Sequence, residues 1–242
     1  MAKLTIGRRM KREFHQMIED GSIQTIYQPV VPFNGCEAIG YEALSRGSVP
    51  SLASPLTLFA VAEEESMGPR LDQLCCRRAI ENFPMKDREN ALLFINLLPE
   101  TLEMGAVTRD RLEAWVHASG LTPHRVVLEV TEREMTDPSR FYTEVSRLRQ
   151  AGFRFAVDDV GTGYSNFSLL ADLVPEFFKL DLDFVRLTRV RPVRQLLVEA
   201  LVRFASQIGA MVVAEGIESV EDAEVFRLLG VELGQGFLYL PA

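Results

Sequence analysis

"IQTIYQPVVPFNGCEAIGYEAL", residues 23–44, contains two apolar runs that read as strands, 23–31 and 38–44. Only the six residues 32–37 separate them. A crossover between parallel strands needs about a dozen residues or more, so these two must pair as an antiparallel hairpin. The rest of the chain has another rhythm. Short apolar strands over 91–95, 126–130, 153–157, 177–180, 211–214 and 233–239 alternate with helical segments. Continuous apolar strands between helices indicate a mostly parallel sheet buried on both faces. Eight strands in one uninterrupted chain suit a closed barrel better than an open sheet. The expected fold is therefore α/β: a TIM-like (β/α)8 barrel with an irregular, antiparallel first strand.

Helical spacing is legible over 10–18, 55–65, 70–83, 108–118, 138–150, 192–208 and 220–229, with a short helix near Asn166. Ser54 and Pro55 open the second of these, and Gly152, Gly209 and Gly230 close later ones. No linker or repeat divides the chain, so a single domain over 1–242 is expected, with a leading helix in 1–20 and a core over about 14–241. A net charge of −8 argues against binding a nucleic-acid polymer, which needs an excess of Lys and Arg. An anionic substrate stays admissible if metal ions lie between it and the acids. Cys36, Cys75 and Cys76 form no CxxC pair and read as reduced residues of a cytoplasmic protein. Neither a membrane span nor a signal peptide is visible, so no membrane insertion is expected.

The functional signal is positional. The strands are apolar until their C-terminal ends and then stop on Glu42, Asn96, Glu129, the pair Asp158–Asp159, Lys179, Glu215 and Gln235. In a parallel barrel those ends share one mouth, where barrel active sites lie. Five carboxylates cannot all be ionised there without counter-charge. Hard oxygen donors with one amide suit Mg²⁺ or Mn²⁺, in sufficient number for two ions. Zinc is disfavoured, because His15, His117 and His124 fall in helices or loops away from strand ends. Two such ions form the apparatus for displacement at phosphorus, with Lys179 orienting the water or balancing charge. The Gly161-Thr162-Gly163 segment lacks the third glycine of a dinucleotide-binding loop and follows two acids that would repel a pyrophosphate.

The segments YQPVV (27–31) and GYEALSRG (40–47) resemble the signature of EAL-domain cyclic-di-GMP phosphodiesterases, and the resemblance runs nearly the whole chain. It implies hydrolysis of cyclic di-GMP to linear pGpG by a water activated between two metals. Under it Glu42, Asn96, Glu129 and Asp158 match ligands of one ion, and Asp158, Asp159 and Glu215 those near the second. Lys179 and Gln235 match residues that hold the hydrolytic water, with Glu215 also counted as catalytic. Glu132 matches a brace for the loop after the aspartates. Gln28, Leu44, Arg46 and Asp181 fall at substrate-binding positions. Val160, Leu98 and Asn166 depart from the family pattern, although none is a ligand. The resemblance also implies a homodimer, with regulation by another protein or by a sensory domain absent from this sequence. The alternative is a catalytically silent domain acting as a cyclic-di-GMP receptor or protein-interaction module.

Overall fold

The hairpin expected from residues 23–44 is present. In the computed structural model, which describes residues 6–35, 37–88, 90–131, 135–161, 167–188 and 190–240, β1 (Ile23–Pro32) pairs antiparallel with β2 (Gly40–Gly47) from Ile23 opposite Gly47 to Val30 opposite Gly40. β3 (Leu92–Asn96), β4 (Val126–Thr131), β5 (Arg154–Val160), β6 (Phe177–Leu180) and β7 (Met211–Ala214) follow in parallel, each beside the one before. β8 (Leu233–Gly234) runs parallel to β7 and closes the barrel against β1, antiparallel, through Val31–Gly234 and Pro32–Leu233. The inverted strand is thus antiparallel to both neighbours.

A leading helix α1 (Arg8–Asp20) buries Phe14, Met17 and Ile18 against α2 (Pro55–Glu64) and α3 (Gly68–Glu81). The outer ring continues with α4 (Pro99–Glu103), α5 (Arg109–Ala118), α6 (Pro138–Gln150), α7 (Phe167–Leu173), α8 (Leu182–Thr188), α9 (Pro192–Ile208) and α10 (Val220–Leu228). The short helices α4 and α8 had no clear period in the sequence, since neither gives two full turns of amphipathic pattern. Among the described residues no helix is long and apolar enough to cross a membrane. Cys75 and Cys76 are buried free thiols, while Cys36 lies outside the described residues.

The last strand is shorter than its apolar run over 233–239 suggests. After Gly234 the ladder gives way to a 3-10 turn, Phe237–Tyr239. Ile217 N–H donates to Gln235 O at 3.0 Å and Leu238 N–H to Ile217 O at 3.1 Å, so this segment docks on the loop after β7 instead of extending β8. Gly236 permits the approach: a Cβ there would lie 2.2 Å from Ile217 O and 2.4 Å from Ile217 N. Gly236→Ala is expected to destabilise the fold by about 1–3 kcal/mol, because backbone rather than a yielding side chain must move. Thermal unfolding should show a Tm lower by roughly 2–12 °C.

Candidate active site

Strand periodicity builds the site. Val30, Phe94, Val127, Ala156, Phe177, Val213 and Leu233 form an apolar plug inside the barrel. Side chains two residues apart share a strand face. Two positions nearer the mouth therefore come Asn96, Glu129, Asp158, Lys179, Glu215 and Gln235, and on the inverted β1, two positions earlier, Gln28. On β2 the plug position is Gly40, whose missing Cβ leaves room for the Phe94 ring, and Glu42 follows it. The eight strands thus deliver one polar layer directly above one apolar layer.

Lys179 is the centre of that layer and is fully buried. Its Nζ lies 2.7 Å from Glu215 Oε1, 2.8 Å from Glu129 Oε1, 2.9 Å from Glu42 Oε2 and 3.7 Å from Asp158 Oδ1. Asn96 Nδ2 donates to Glu42 Oε1 at 2.7 Å, and Gln235 Nε2 donates to Glu42 Oε2 at 2.6 Å and to Gln28 Oε1 at 3.1 Å. Burial by itself would lower the Lys179 ammonium, but the charges of Asp158, Glu129, Glu215 and Glu42 overcome it and hold the pKa well above the ordinary lysine value. Glu42 is penalised by burial too, yet Lys179 and its amide donors bring it below the usual carboxylate range. Glu129 goes the other way: burial first, then the charge of Glu42, raises it well above that range. Burial likewise raises Asp158, and pushes Glu215 up to about 8.

The adjacent aspartates reach one site because β5 is irregular. Its register against β6 shifts between Val157 and Val160, and Asp159 has a left-handed φ of 58°. Aspartate tolerates that conformation better than most side chains. The usual alternation is broken, and carboxylate oxygens of Asp158, Asp159 and Glu215 come within 4.8 Å of one another. Val160, one of the three departures from the family pattern, follows them and is buried.

The donor set fits hard divalent cations. Both carboxylate oxygens of Glu129 and the Oε1 of Gln235 are buried without a hydrogen bond, although Glu129 Oε1 is in ion-pair range of Lys179. One ammonium among Glu42, Glu129, Asp158 and Glu215 leaves negative charge uncompensated. Among the described residues every donor of the group is oxygen and no imidazole joins it: His15 pairs with Glu65 at 2.8 Å, and His124 packs beside Gly152. Asp158, Asp159 and Glu215 bring oxygens close enough together to hold one such ion, and Glu42, Asn96 and Glu129 supply further oxygens in the same polar layer.

Two clefts flank the cluster. One, of about 280 Å³, runs from Asn96 and Glu129 past Arg46, Phe59, Cys75 and Leu98. The other, of about 270 Å³, holds Gln28, Asp158, Glu215 and Gln235 on its inner side, and Leu44 lines both. Asp181 Oδ1 accepts the N–H groups of Asp183 and Phe184 and so caps α8. Glu132 and the loop over 162–166 lie outside the described residues.

Two residues of the first cleft escaped the sequence reading. Asp72 is buried in α3 and its Oδ2 accepts the Leu98 N–H at 3.0 Å, fixing the chain just after Asn96. Its signal was a charge within an apolar helical face, between Leu71 and Cys75. Thr131 directs a buried hydroxyl that has no hydrogen-bond partner, one residue beyond the end of the apolar run. Nothing in an isolated threonine after a strand distinguishes it from a loop residue.

A closed (β/α)8 barrel with an inverted first strand and an acid-lined, lysine-centred mouth defines the class. The chain belongs to the EAL domain family, whose model matches residues 11–242. It is 32% identical over 251 residues to the probable cyclic di-GMP phosphodiesterase PdeB of Escherichia coli K12, an alignment covering all of this chain and 47% of PdeB. The BlrP1 structure from Klebsiella pneumoniae, solved as a manganese and cyclic-di-GMP complex, is 34% identical with a TM-score of 0.80 over 89% of this chain and 55% of that one. The PaMucR phosphodiesterase in complex with c-di-GMP is 27% identical, with a TM-score of 0.81 over 95% of each chain. The chain spans less than half the length of the curated relatives it matches.

Proposed function

We propose that this chain is a single catalytic EAL domain that hydrolyses cyclic di-GMP to linear pGpG. The observation that carries the reading is the complete oxygen-donor set, Glu42, Asn96, Glu129, Asp158, Asp159 and Glu215, assembled around one buried lysine. When bound, two Mg²⁺ or Mn²⁺ ions would neutralise phosphoryl charge and make water more acidic. Gln235 Oε1, which has no hydrogen-bond partner, would accept from the attacking water, and Lys179, tied to Glu42, would help hold that water against the phosphorus once bound metal takes over one of its carboxylates. Glu215, the most exposed of the four carboxylates around Lys179, would take the proton of that water once cation binding has displaced its own. The new P–O bond forms as the bond to the 3′ oxygen breaks; the departing oxygen takes a proton from solvent, leaving a 5′-phosphate and a free 3′-hydroxyl, and Glu215 returns its proton to bulk water. Arg46, which lines the first cleft, would contact a substrate phosphate.

Glu42→Ala removes a ligand and the acceptor shared by Asn96, Lys179 and Gln235. Turnover should fall by about 100-fold or more, read as pGpG formed from cyclic di-GMP with Mg²⁺ or Mn²⁺. Wild-type binding without any pGpG at high enzyme concentration would replace the catalytic reading with a receptor. We also infer a homodimer: Val190, Val193 and Leu196, at and just before the start of α9, are 62–78% exposed, a cluster that suits a second copy. Light scattering should give twice the 27.2 kDa chain mass. Buried free thiols suit the reducing cytoplasm, where a separate protein or sensory domain would regulate the enzyme.

A further inference from the structure

We infer that α8 is a wedge that sets the spacing of Asp158, Asp159 and Glu215, with Leu182 and Phe184 as its positioning residues. The inference rests on the metal-dependent reading above and adds to it the side chains that fix where the ligands stand. Topology puts α8 in place. β6 lies between β5 and β7, so the helix that leaves β6 rises between the two loops that carry the three acids. Backbone bonds fasten its base to both. Asp181 N–H donates to Val160 O at 3.3 Å, and Glu215 N–H donates to Leu180 O at 3.1 Å.

Two glycines receive two side chains of this helix. Gly161, two residues after Asp159, has φ of +106°, and a Cβ there would lie 2.6 Å from Cγ and Cδ2 of Phe184. Gly216, next to Glu215, has φ of +66°, and a Cβ there would overlap Leu182 Cδ1. Each position needs both a left-handed backbone and a bare Cα. Helical residues two apart differ in direction by about 200°. Leu182 therefore presses on the Glu215 loop from one side of α8, and Phe184 on the aspartate loop from the other. The wedge is itself held. Asp181 caps it, Thr188 Oγ1 donates to Phe184 O at 2.8 Å, and Arg186 pairs with Glu218 at 2.8 Å. From α9, Gln195 Nε2 donates to Thr188 O at 3.3 Å, and the Arg194 guanidinium lies 5.0 Å from the centre of the Phe184 ring. Carboxylates whose oxygens lie within 4.8 Å repel when ionised, so a spacing kept for an ion needs support from behind.

Calorimetric titration with Mn²⁺ in the absence of nucleotide, beside the Tm in chelator, separates positioning from packing. Phe184→Leu keeps apolar bulk and withdraws the ring from Gly161, and should weaken Mn²⁺ binding by about 10- to 100-fold. Leu182→Ala, at a partly exposed position, should weaken it too. With no nucleotide present, that loss cannot come from the cleft that Leu182 lines. Phe226→Leu makes the same truncation in α10, where Phe226 is 1% exposed, and should lower the Tm while leaving Mn²⁺ affinity unchanged. In turnover, Phe184→Leu should need correspondingly more Mn²⁺ for half-activation and regain most of its kcat at saturating Mn²⁺. Should Phe184→Leu fail to fold, Leu182→Ala alone decides. Unchanged Mn²⁺ affinity in either folded variant, or an equal loss in Phe226→Leu, overturns the wedge. Phe184-dependent Mn²⁺ binding without any wild-type pGpG overturns the catalytic reading alone. Absence of Mn²⁺ binding by the wild type overturns both.

Discussion

Lys179→Met is expected to eliminate measurable hydrolysis of cyclic di-GMP, a loss of at least about 100- to 1,000-fold. The same change should destabilise the chain when divalent ions are chelated. The Lys179 Nζ pairs with Glu215, Glu129 and Glu42 at 2.7–2.9 Å and is fully buried. Methionine preserves the stem and removes the charge, so the carboxylates keep their burial and lose their shared counter-ion. Breaking a buried pair from one side costs about 3–5 kcal/mol, which the acids can reduce by taking up protons. Added Mn²⁺ should recover most of the lost stability but none of the turnover, since the donor that holds the water stays absent. Lys179→Arg should not rescue, because a planar guanidinium cannot present one compact cation to four oxygens. Denaturant unfolding with chelator and with Mn²⁺, beside kcat, decides the matter. A Lys179→Met protein of normal kcat would show that the lysine only fills space.

The polar layer was legible in the sequence for a simple reason. A strand's period of two converts position into direction, so an acid or lysine ending an apolar run must point into the same mouth as its counterparts. The hairpin was legible because six residues cannot carry a helical crossover. The failures have equally local causes. The end of the apolar run at 233–239 looked like strand, and only the backbone of Ile217, a contact across the fold, turns it into a 3-10 segment. Asp159, by contrast, was expected at the site and lies there, although it gets there through a register shift and a left-handed φ that no side-chain pattern encodes. Asp72 and Phe237 belong to cleft walls, and walls come from neighbouring elements that sequence proximity does not reveal.

Stability without metal should fall as pH rises across neutrality, and Mg²⁺ should reverse that trend. The Glu215 carboxyl is pushed up to about 8 by burial, with Asp158 and Glu129 also raised. In the unfolded chain such groups titrate near about 4–4.5. Between those limits the folded protein holds protons that the unfolded one has released. The stability from a raised carboxyl is therefore complete below about pH 4, and is lost as pH climbs through the folded value near 8. Glu42, held low, has the opposite sign: its contribution is present above the ordinary carboxylate pKa and lost only in acid, outside this window. The metal-free Tm should therefore drop by about 5–10 °C between about pH 6 and pH 9. Cation binding needs the ionised carboxylates, so it must expel the same protons and tighten with pH. Calorimetry in two buffers of different ionisation enthalpy should count proton release at neutral pH when Mg²⁺ binds. A metal-free Tm that stays flat over this range, with no protons released, would mean that the acids around Lys179 are already ionised and that this lysine alone balances them.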